Sequence, residues 1–203
     1  MKAAGFHGIV INISNPCDVV TREVAKILDL PEGHVFGTGT GLDTSRLISQ
    51  ISAVTDVDPH SIRAYMLGEH GNAQFAAWSC VNLGGLPLAD SGYQFDHADL
   101  ENKARMGGGV TFNGKHCTEY AIATCAARMA SAVIHDEKAV MAASTLLHGE
   151  YGESDLFIGV PCVIGKNGAE KVVELPLSEE EKEKFHQCAS SIRLNMDTAD
   201  HLA

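Results

Sequence analysis

Residues 8–28 read GIVINISNPCDVVTREVAKIL, and they contain the first strand–helix unit of the chain. The β-branched run at residues 8–14 ends at Asn15-Pro16 and predicts a buried parallel strand. Pro16 suits the first turn of a helix, and apolar residues then recur at helical spacing as far as Leu30. A strand that passes directly into a helix is the unit from which parallel sheets are built.

The same order repeats immediately downstream. A second short strand is predicted at residues 34–37, and the glycine-rich segment GTGT occupies residues 37–40. A helix with apolar side chains on one face is predicted at residues 43–57. Two consecutive strand–helix units predict a parallel α/β layer.

The pattern then changes. Strands are predicted at residues 61–68 and 74–83. A short polar helix is predicted at residues 99–105, and it ends before the three glycines at residues 107–109. Residues 117–147 are alanine-rich, with many small side chains that suit close helix packing.

The C-terminal part predicts a hairpin and a helix. Two strands, at residues 156–164 and 169–175, flank a GKNG turn. The last helix is predicted to start at Ser178, where the sequence SEEE forms a capping box and places acids at the positive end of the helix dipole.

The change of pattern near Asp58-Pro59 predicts a boundary between two domains. Residues 1–58 are expected to form α/β structure that belongs to a parallel sheet, and residues 59–203 are expected to form an α+β domain. The predicted fold class of the whole chain is therefore α/β plus α+β.

The composition is that of an ordinary globular protein. The 203 residues include 45% hydrophobic and 20% charged residues, which is sufficient for a sizeable core. The net charge of −11 argues against a nucleic-acid backbone or an anionic membrane as partner. No apolar run approaches the roughly 20 residues of a membrane helix, and no secretory signal opens the chain.

The cysteines and histidines do not indicate a metal site. The six cysteines are scattered without a CxxC motif, which is typical of reduced packing thiols in a cytoplasmic protein. The histidines other than His70 do not show the spacing of metal ligands. We therefore predict a cytoplasmic protein that binds no metal.

Two motifs carry side chains suited to acid–base chemistry: LDTSR at residues 42–46 and GEHG at residues 68–71. His70 can donate a proton near neutral pH, and a buried carboxylate such as Asp43 would fix its tautomer and favour its charged form. The planar fork of Arg46 can bind both oxygens of a carboxylate. These are the groups needed to reduce a 2-oxo acid, because hydride addition leaves charge on the ketone oxygen that a proton must meet.

The positions of these residues support a shared site. Arg46 lies three residues after Asp43, so a helix presents both side chains on one face. Asn15 follows the first predicted strand, at the carboxyl end where open α/β sheets bind ligands. Taken singly, each residue has an ordinary alternative role as a packing residue, a helix cap, a solvated charge or a turn residue. Their joint occurrence in this order favours the functional interpretation.

The order Asn15, Asp43, Arg46, His70 and the sequence around it resemble the L-lactate and L-2-hydroxyisocaproate dehydrogenase family. The likeness runs from residue 5 to about residue 195. It rests on the segments GFHGIVINISNP (5–16), GTGTGLDTSR (37–46), GEHGNAQFAAWS (68–79) and NGKHCTEYAIA (113–123). GEHG downstream of LDTSR is a specific signal, stronger than a lone nucleotide-loop pattern.

The resemblance implies a fold, an activity and partners. Residues 1–58 would be the end of a Rossmann-type NAD-binding domain, and residues 59–203 would be a lactate/malate dehydrogenase C-terminal catalytic domain. The protein would use NAD to interconvert an L-2-hydroxy acid and a 2-oxo acid. Its partners would be that small acid and further copies of itself in a homo-oligomer.

The resemblance also implies roles for individual residues. His70 would give and take the proton, Asp43 would hold His70, and Arg46 would anchor the substrate carboxylate. The expected substrate contacts are Asn15, Arg46 and Thr118. The expected cofactor contacts are Ile13, Asn15 and Ile122.

The glycine-rich cofactor loop of this family has no counterpart here. No GxGxxG motif followed by an acidic residue occurs in the sequence, so the chain resembles the second half of such an enzyme. Two interpretations stay open. The chain is part of an NAD-dependent L-2-hydroxy acid dehydrogenase, or it is an inactive truncated homologue that acts as an assembly or binding module.

Overall fold

The computed structural model describes residues 1–202. Its helices and strands follow in this order: β1 Val10–Asn12, α1 Cys17–Leu28, β2 Val35–Gly37, α2 Gly41–Thr55, β3 Ile62–Arg63, β4 Met66–Leu67, β5 Phe75–Ala76, β6 Asn82–Leu83, β7 Leu86–Pro87, α3 His97–Lys115, α4 Tyr120–Ile134, β8 Ala139–His148, β9 Ser154–Gly165, β10 Gly168–Val172 and α5 Glu179–Leu202.

A mixed sheet with the strand order β1-β2-β8-β9-β10 lies at the centre of the molecule. β1 and β2 are parallel, which confirms the predicted parallel layer. β8 joins β2 in antiparallel orientation at Gly37 and Ser144, and β8, β9 and β10 form an antiparallel meander. Both predicted domains contribute strands to this sheet. The division into residues 1–58 and 59–203 stays a prediction.

The first strand differs from its prediction in burial. Only Asn12 in β1 is buried, and Ile13, just after the strand, is 50% exposed. The expectation of a buried strand is therefore wrong for most of this run. The physical reason is position: β1 is an outer strand of the sheet, so one edge and part of its side-chain surface have no covering element within residues 1–202.

The helix predicted at residues 99–105 is much longer than expected. α3 begins after Asp96, whose side chain accepts a hydrogen bond from the Asp99 N–H at 3.1 Å, and continues through all three glycines to Lys115. The prediction that the glycines end the helix is wrong. A side chain at Gly107 would place its Cβ 2.9 Å from Cδ of Arg46. Glycine at this position therefore permits close approach between two helices.

The alanine-rich stretch at residues 117–147 is only partly helical. α4 ends at Ile134, and after a short turn β8 begins at Ala139 and pairs with β9 along its whole length. The backbone of this strand is closely approached by the glycine-rich segment. A Cβ at Gly39 would lie 2.5 Å from the backbone nitrogen of Ser144, so the GTGT segment lies directly against the strand.

The strands predicted at residues 61–68 and 74–83 are broken into short pieces. β3 and β4 occupy the first range, and β5 and β6 occupy the second, with a 3-10 turn at Trp78–Cys80 between them. β4 pairs with β5, and β3 pairs with β6. These small antiparallel pairs position the GEHG segment, which runs between β4 and β5.

The C-terminal predictions are confirmed. β9 and β10 form the expected hairpin, with Gly165 paired to Gly168 across the turn. The Ser178 N–H donates to Oε2 of Glu181 at 2.9 Å, and the Glu181 N–H donates to Oγ of Ser178 at 3.3 Å, which is the predicted capping box. None of the helices within residues 1–202 is both long enough and apolar enough to cross a bilayer.

We expect Glu181→Ala to lower the free energy of unfolding by about 2–3 kcal/mol, because it removes the carboxylate half of the capping box and two further charge-assisted hydrogen bonds. Glu181 also accepts bonds from the backbone N–H and the hydroxyl of Ser79, which tie α5 to the turn after β5. Urea unfolding would measure the loss. Glu180→Ala is the matched control, because this exposed side chain forms a surface ion pair with Lys184. Equal destabilisation by the two changes would contradict the prediction.

Candidate active site

All the site residues predicted from the sequence line one cavity of about 450 Å³. These residues are Ile13, Asn15, Asp43, Arg46, His70, Thr118 and Ile122. The carboxyl end of β1, the first turns of α2, the GEHG segment and the two helices α3 and α4 meet there. Side chains separated by more than a hundred positions in the sequence are thus brought to one surface.

Asp43 contacts two basic side chains at once. Its Oδ2 lies 2.7 Å from Nδ1 of His70, and its Oδ1 accepts a hydrogen bond from Nη1 of Arg46 at 2.9 Å. The carboxylate is only 1% exposed, so both contacts are largely shielded from water. The i,i+3 spacing of Asp43 and Arg46 on α2 produces the second contact directly, as the sequence predicts.

The surroundings of His70 favour its protonated form. Burial by itself lowers the pKa of this imidazole. The hydrogen bond and the negative charge of Asp43, together with the charge of Asp18, outweigh burial and leave the pKa of His70 above its ordinary value. Because Asp43 engages Nδ1, Nε2 is the ring nitrogen left for a ligand in the cavity.

Arg46 is placed to bind an anion in the cavity. The backbone of α3 passes beside its side chain, since a Cβ at Gly107 would touch Cδ and a Cβ at Gly108 would lie 3.7 Å from both terminal nitrogens. Nη1 is bound to Asp43, whereas Nη2 has no hydrogen-bond acceptor within the part of the chain that the structure describes. This leaves one side of the guanidinium for a carboxylate.

The remaining predicted residues form the mouth of the cavity. Asn15 and Thr118 are exposed, and each lies in a loop that precedes a helix. Ile13 is half exposed and Ile122 lies in the first turn of α4, so both present apolar surface to the same space. The cavity therefore combines charged groups with an apolar wall.

Sequence reasoning missed two charged residues of this region. Asp18, in the first turn of α1, accepts a hydrogen bond from the His70 N–H at 3.0 Å. The available signal was an acid within the apolar run of NPCDVV. Arg105 lines the cavity from α3, on the same face as Gly108 and Gly109. The sequence did not indicate that this face of the predicted helix would point toward the cavity. Among residues 1–202, no group of three or more metal-ligating side chains is found.

Comparisons with known proteins agree on one family. A profile described as lactate/malate dehydrogenase, alpha/beta C-terminal domain, matches residues 40–203. The chain is 42% identical over 200 residues to L-lactate dehydrogenase 1 of Bifidobacterium longum, covering 95% of the chain and 63% of the relative. It is 39% identical over 199 residues to L-lactate dehydrogenase of Fusobacterium nucleatum, covering 94% of the chain and 62% of the relative.

Solved structures give the same result. The minor L-lactate dehydrogenase of Enterococcus mundtii, in a ligand-bound form, superposes with a TM-score of 0.92 at 37% identity, covering 97% of this chain and 64% of that one. A lactate dehydrogenase from a deep-sea metagenome also superposes with a TM-score of 0.92 at 34% identity, covering 96% of this chain and 64% of that one. The chain thus spans a little under two thirds of these relatives. The predicted fold class and the resemblance are both confirmed: this chain belongs to the lactate/malate dehydrogenase family.

Proposed function

We propose that this chain carries the substrate-binding and proton-transferring part of an NAD-dependent L-2-hydroxy acid dehydrogenase of the L-lactate dehydrogenase type. The observation that carries the proposal is the arrangement around Asp43, which contacts both His70 and Arg46 inside one cavity. A proton donor and a carboxylate anchor held by one buried acid are the groups that reduction of a 2-oxo acid requires.

Each side chain has a specific role in this reaction. Arg46 binds the substrate carboxylate and orients the ketone toward His70. During reduction the ketone carbon gains a hydride, and its oxygen takes the proton from Nε2 of His70. Asp43 keeps the Nδ1–H hydrogen bond throughout, so the ring stays in one orientation. In the reverse direction the neutral imidazole takes up the hydroxyl proton as the hydride leaves.

The cavity fits the nicotinamide end of NAD. Ile13 and Ile122 provide apolar surface for a flat ring, and the amide of Asn15 can bond to polar groups beside it. When bound, the nicotinamide supplies the hydride in reduction and takes it up in oxidation. The sequence has no glycine-rich loop for the pyrophosphate, so the fit concerns one end of the cofactor.

Three further expectations complete the proposal. Residues 1–58 are assigned to the C-terminal end of a Rossmann-type NAD-binding domain, and residues 59–203 to a lactate/malate dehydrogenase catalytic domain. A homo-oligomer is the assembly that the family resemblance implies. A cytoplasmic location is supported by the scattered cysteines, all of which are free thiols.

The alternative function is an inactive assembly or binding module. The chain covers 62–65% of its relatives' length, and its sequence contains no GxGxxG loop to hold a pyrophosphate. Cofactor capture and positioning contribute much of the rate in a bound reaction, on the order of 7–11 kcal/mol in favourable cases. We therefore expect the chain alone to turn over far more slowly than a full-length relative.

The test separates binding from turnover. NADH oxidation would be followed with a panel of 2-oxo acids, and binding of the same acids would be measured by ligand-observed NMR. We expect binding that depends on Arg46, with slow NADH oxidation that is lost in His70→Gln. Failure of both measurements would reject the dehydrogenase proposal in favour of the module.

Gly107→Ala should have opposite effects on stability and on binding. The new methyl group would lie 2.9 Å from Cδ of Arg46, so the flexible arginine must move, and 2-oxo acid binding should weaken. Alanine in a helix interior adds up to about 1 kcal/mol of stability relative to glycine. Gly114→Ala is the matched control on α3, because a side chain there meets no atom within 4 Å. NMR binding and urea unfolding would measure both quantities, and equal binding by the two variants would disprove the contact.

A further inference from the structure

A second buried carboxylate lies beneath the GEHG segment. Asp18, in the first turn of α1, is only 3% exposed. Its Oδ1 accepts a hydrogen bond from the Ser144 hydroxyl at 2.6 Å, and its Oδ2 accepts one from the backbone N–H of His70 at 3.0 Å. The carboxylate therefore connects α1, β8 and the segment that carries the catalytic histidine of the proposed function.

Neither hydrogen bond requires a charged group. An asparagine at this position could accept the His70 N–H with its oxygen and donate its amide to the Ser144 oxygen, because a hydroxyl both donates and accepts. An ionised carboxylate, in contrast, destabilises the folded state when it is buried, because it loses its hydration. Burial raises the pKa of Asp18 to about 6, so the ionised form carries an energetic cost near neutral pH that an amide would avoid. The distinguishing property of aspartate here is its charge.

The groups that face Asp18 show where this charge acts. Cys17 from α1 and Cys188 from α5 are thiols whose pKa burial raises to about 11, so they stay neutral. Glu69 has the same sign as Asp18, and Ser144 is uncharged. His70 is the group in this set that can carry a positive charge, and the charge of Asp18 favours its protonated form.

We propose that Asp18 is a positioning residue for His70, which fixes the backbone of the GEHG segment and electrostatically stabilises the protonated imidazole. Asp18 acts from behind the segment through the His70 N–H, whereas Asp43 acts on the ring itself. His70 is thus held between two carboxylates from two different helices. This inference rests on the proposed role of His70 as the proton donor.

The test is a pH titration of the His70 ring by NMR in the full chain, with the signal assigned by its loss in His70→Gln. In Asp18→Asn, which preserves both hydrogen bonds, we expect the pKa of His70 to fall by about 0.5 or more. Asp90→Asn removes the same formal charge from an exposed site and should leave this pKa unchanged. A purely structural Asp18 predicts no change in Asp18→Asn, and that result would overturn the inference.

Ser144→Ala provides a second variant if Asp18→Asn does not fold. Loss of the Ser144 hydrogen bond raises the pKa of Asp18 further, so less negative charge remains near neutral pH and the pKa of His70 should again fall. An unchanged or raised pKa of His70 would reject the inference. Because the titration needs neither substrate nor turnover, its failure is distinct from a failure of the proposed dehydrogenase activity.

Discussion

Arg46→Lys is expected to weaken 2-oxo acid binding by a factor of roughly 10 to 150, or about 1.5–3 kcal/mol, although the positive charge is kept. In the structure, Arg46 lines the cavity and its Nη1 is bound to Asp43, while Nη2 has no acceptor among residues 1–202. A lysine ammonium is a single point charge and cannot hold Asp43 and a substrate carboxylate in the same fixed geometry. The buried Asp43 would compete for it.

The measurement is the affinity for pyruvate and for a branched 2-oxo acid, together with the rate of NADH oxidation. Arg63→Lys is the matched control, because Arg63 lies outside the cavity and its side chain bonds to the backbone carbonyls of His60 and Ile62. Affinities equal to wild type in Arg46→Lys would reject Arg46 as the carboxylate anchor.

Asp43→Asn is expected to lower the pKa of His70 by about 1 pH unit or more, because a neutral amide replaces the carboxylate that lies 2.7 Å from Nδ1. The imidazolium would then lose its proton at lower pH, and the basic limb of the pH–rate profile for 2-oxo acid reduction would move down. Arg46 would lose the negative charge that pairs with it as well, so the change should also weaken substrate binding.

The same pair links stability to pH. The folded-state pKa of His70 is raised above the unfolded value of about 6.5. Its contribution to stability is therefore fully present below about pH 6.5 and is lost as the pH rises through the raised value. Asp43→Asn should consequently destabilise the chain more at about pH 5.5 than at about pH 8.5 in urea unfolding.

Asp58→Asn is the control for this experiment, because it alters an exposed Asp–His pair with His60 at 2.8 Å and does not reach His70. NMR titration of the His70 ring would follow the pKa directly. If Asp43→Asn leaves both the His70 titration and the basic limb in place, the pairing does not govern proton transfer.

Patterns within a short stretch of sequence were sufficient to predict several features of the fold. The strand–helix order of residues 8–57, the GKNG hairpin and the capping box at Ser178 and Glu181 all depend on neighbours within a few positions, where backbone periodicity and capping act. The shared face of Asp43 and Arg46 follows in the same way from helical spacing.

Contacts between distant residues determined the rest. Local propensity alone predicts that three consecutive glycines end a helix, because each glycine in a helix interior costs about 1 kcal/mol of stability relative to alanine. Here α3 packs against α2, and this contact offsets the cost of the glycines, while Gly107 leaves room for the side chain of Arg46. Likewise, β8 is alanine-rich, and its strand form depends on pairing with β9. The bond from the His70 N–H to Asp18 joins positions 52 apart in sequence, and only the packing of α1 against the GEHG segment creates it.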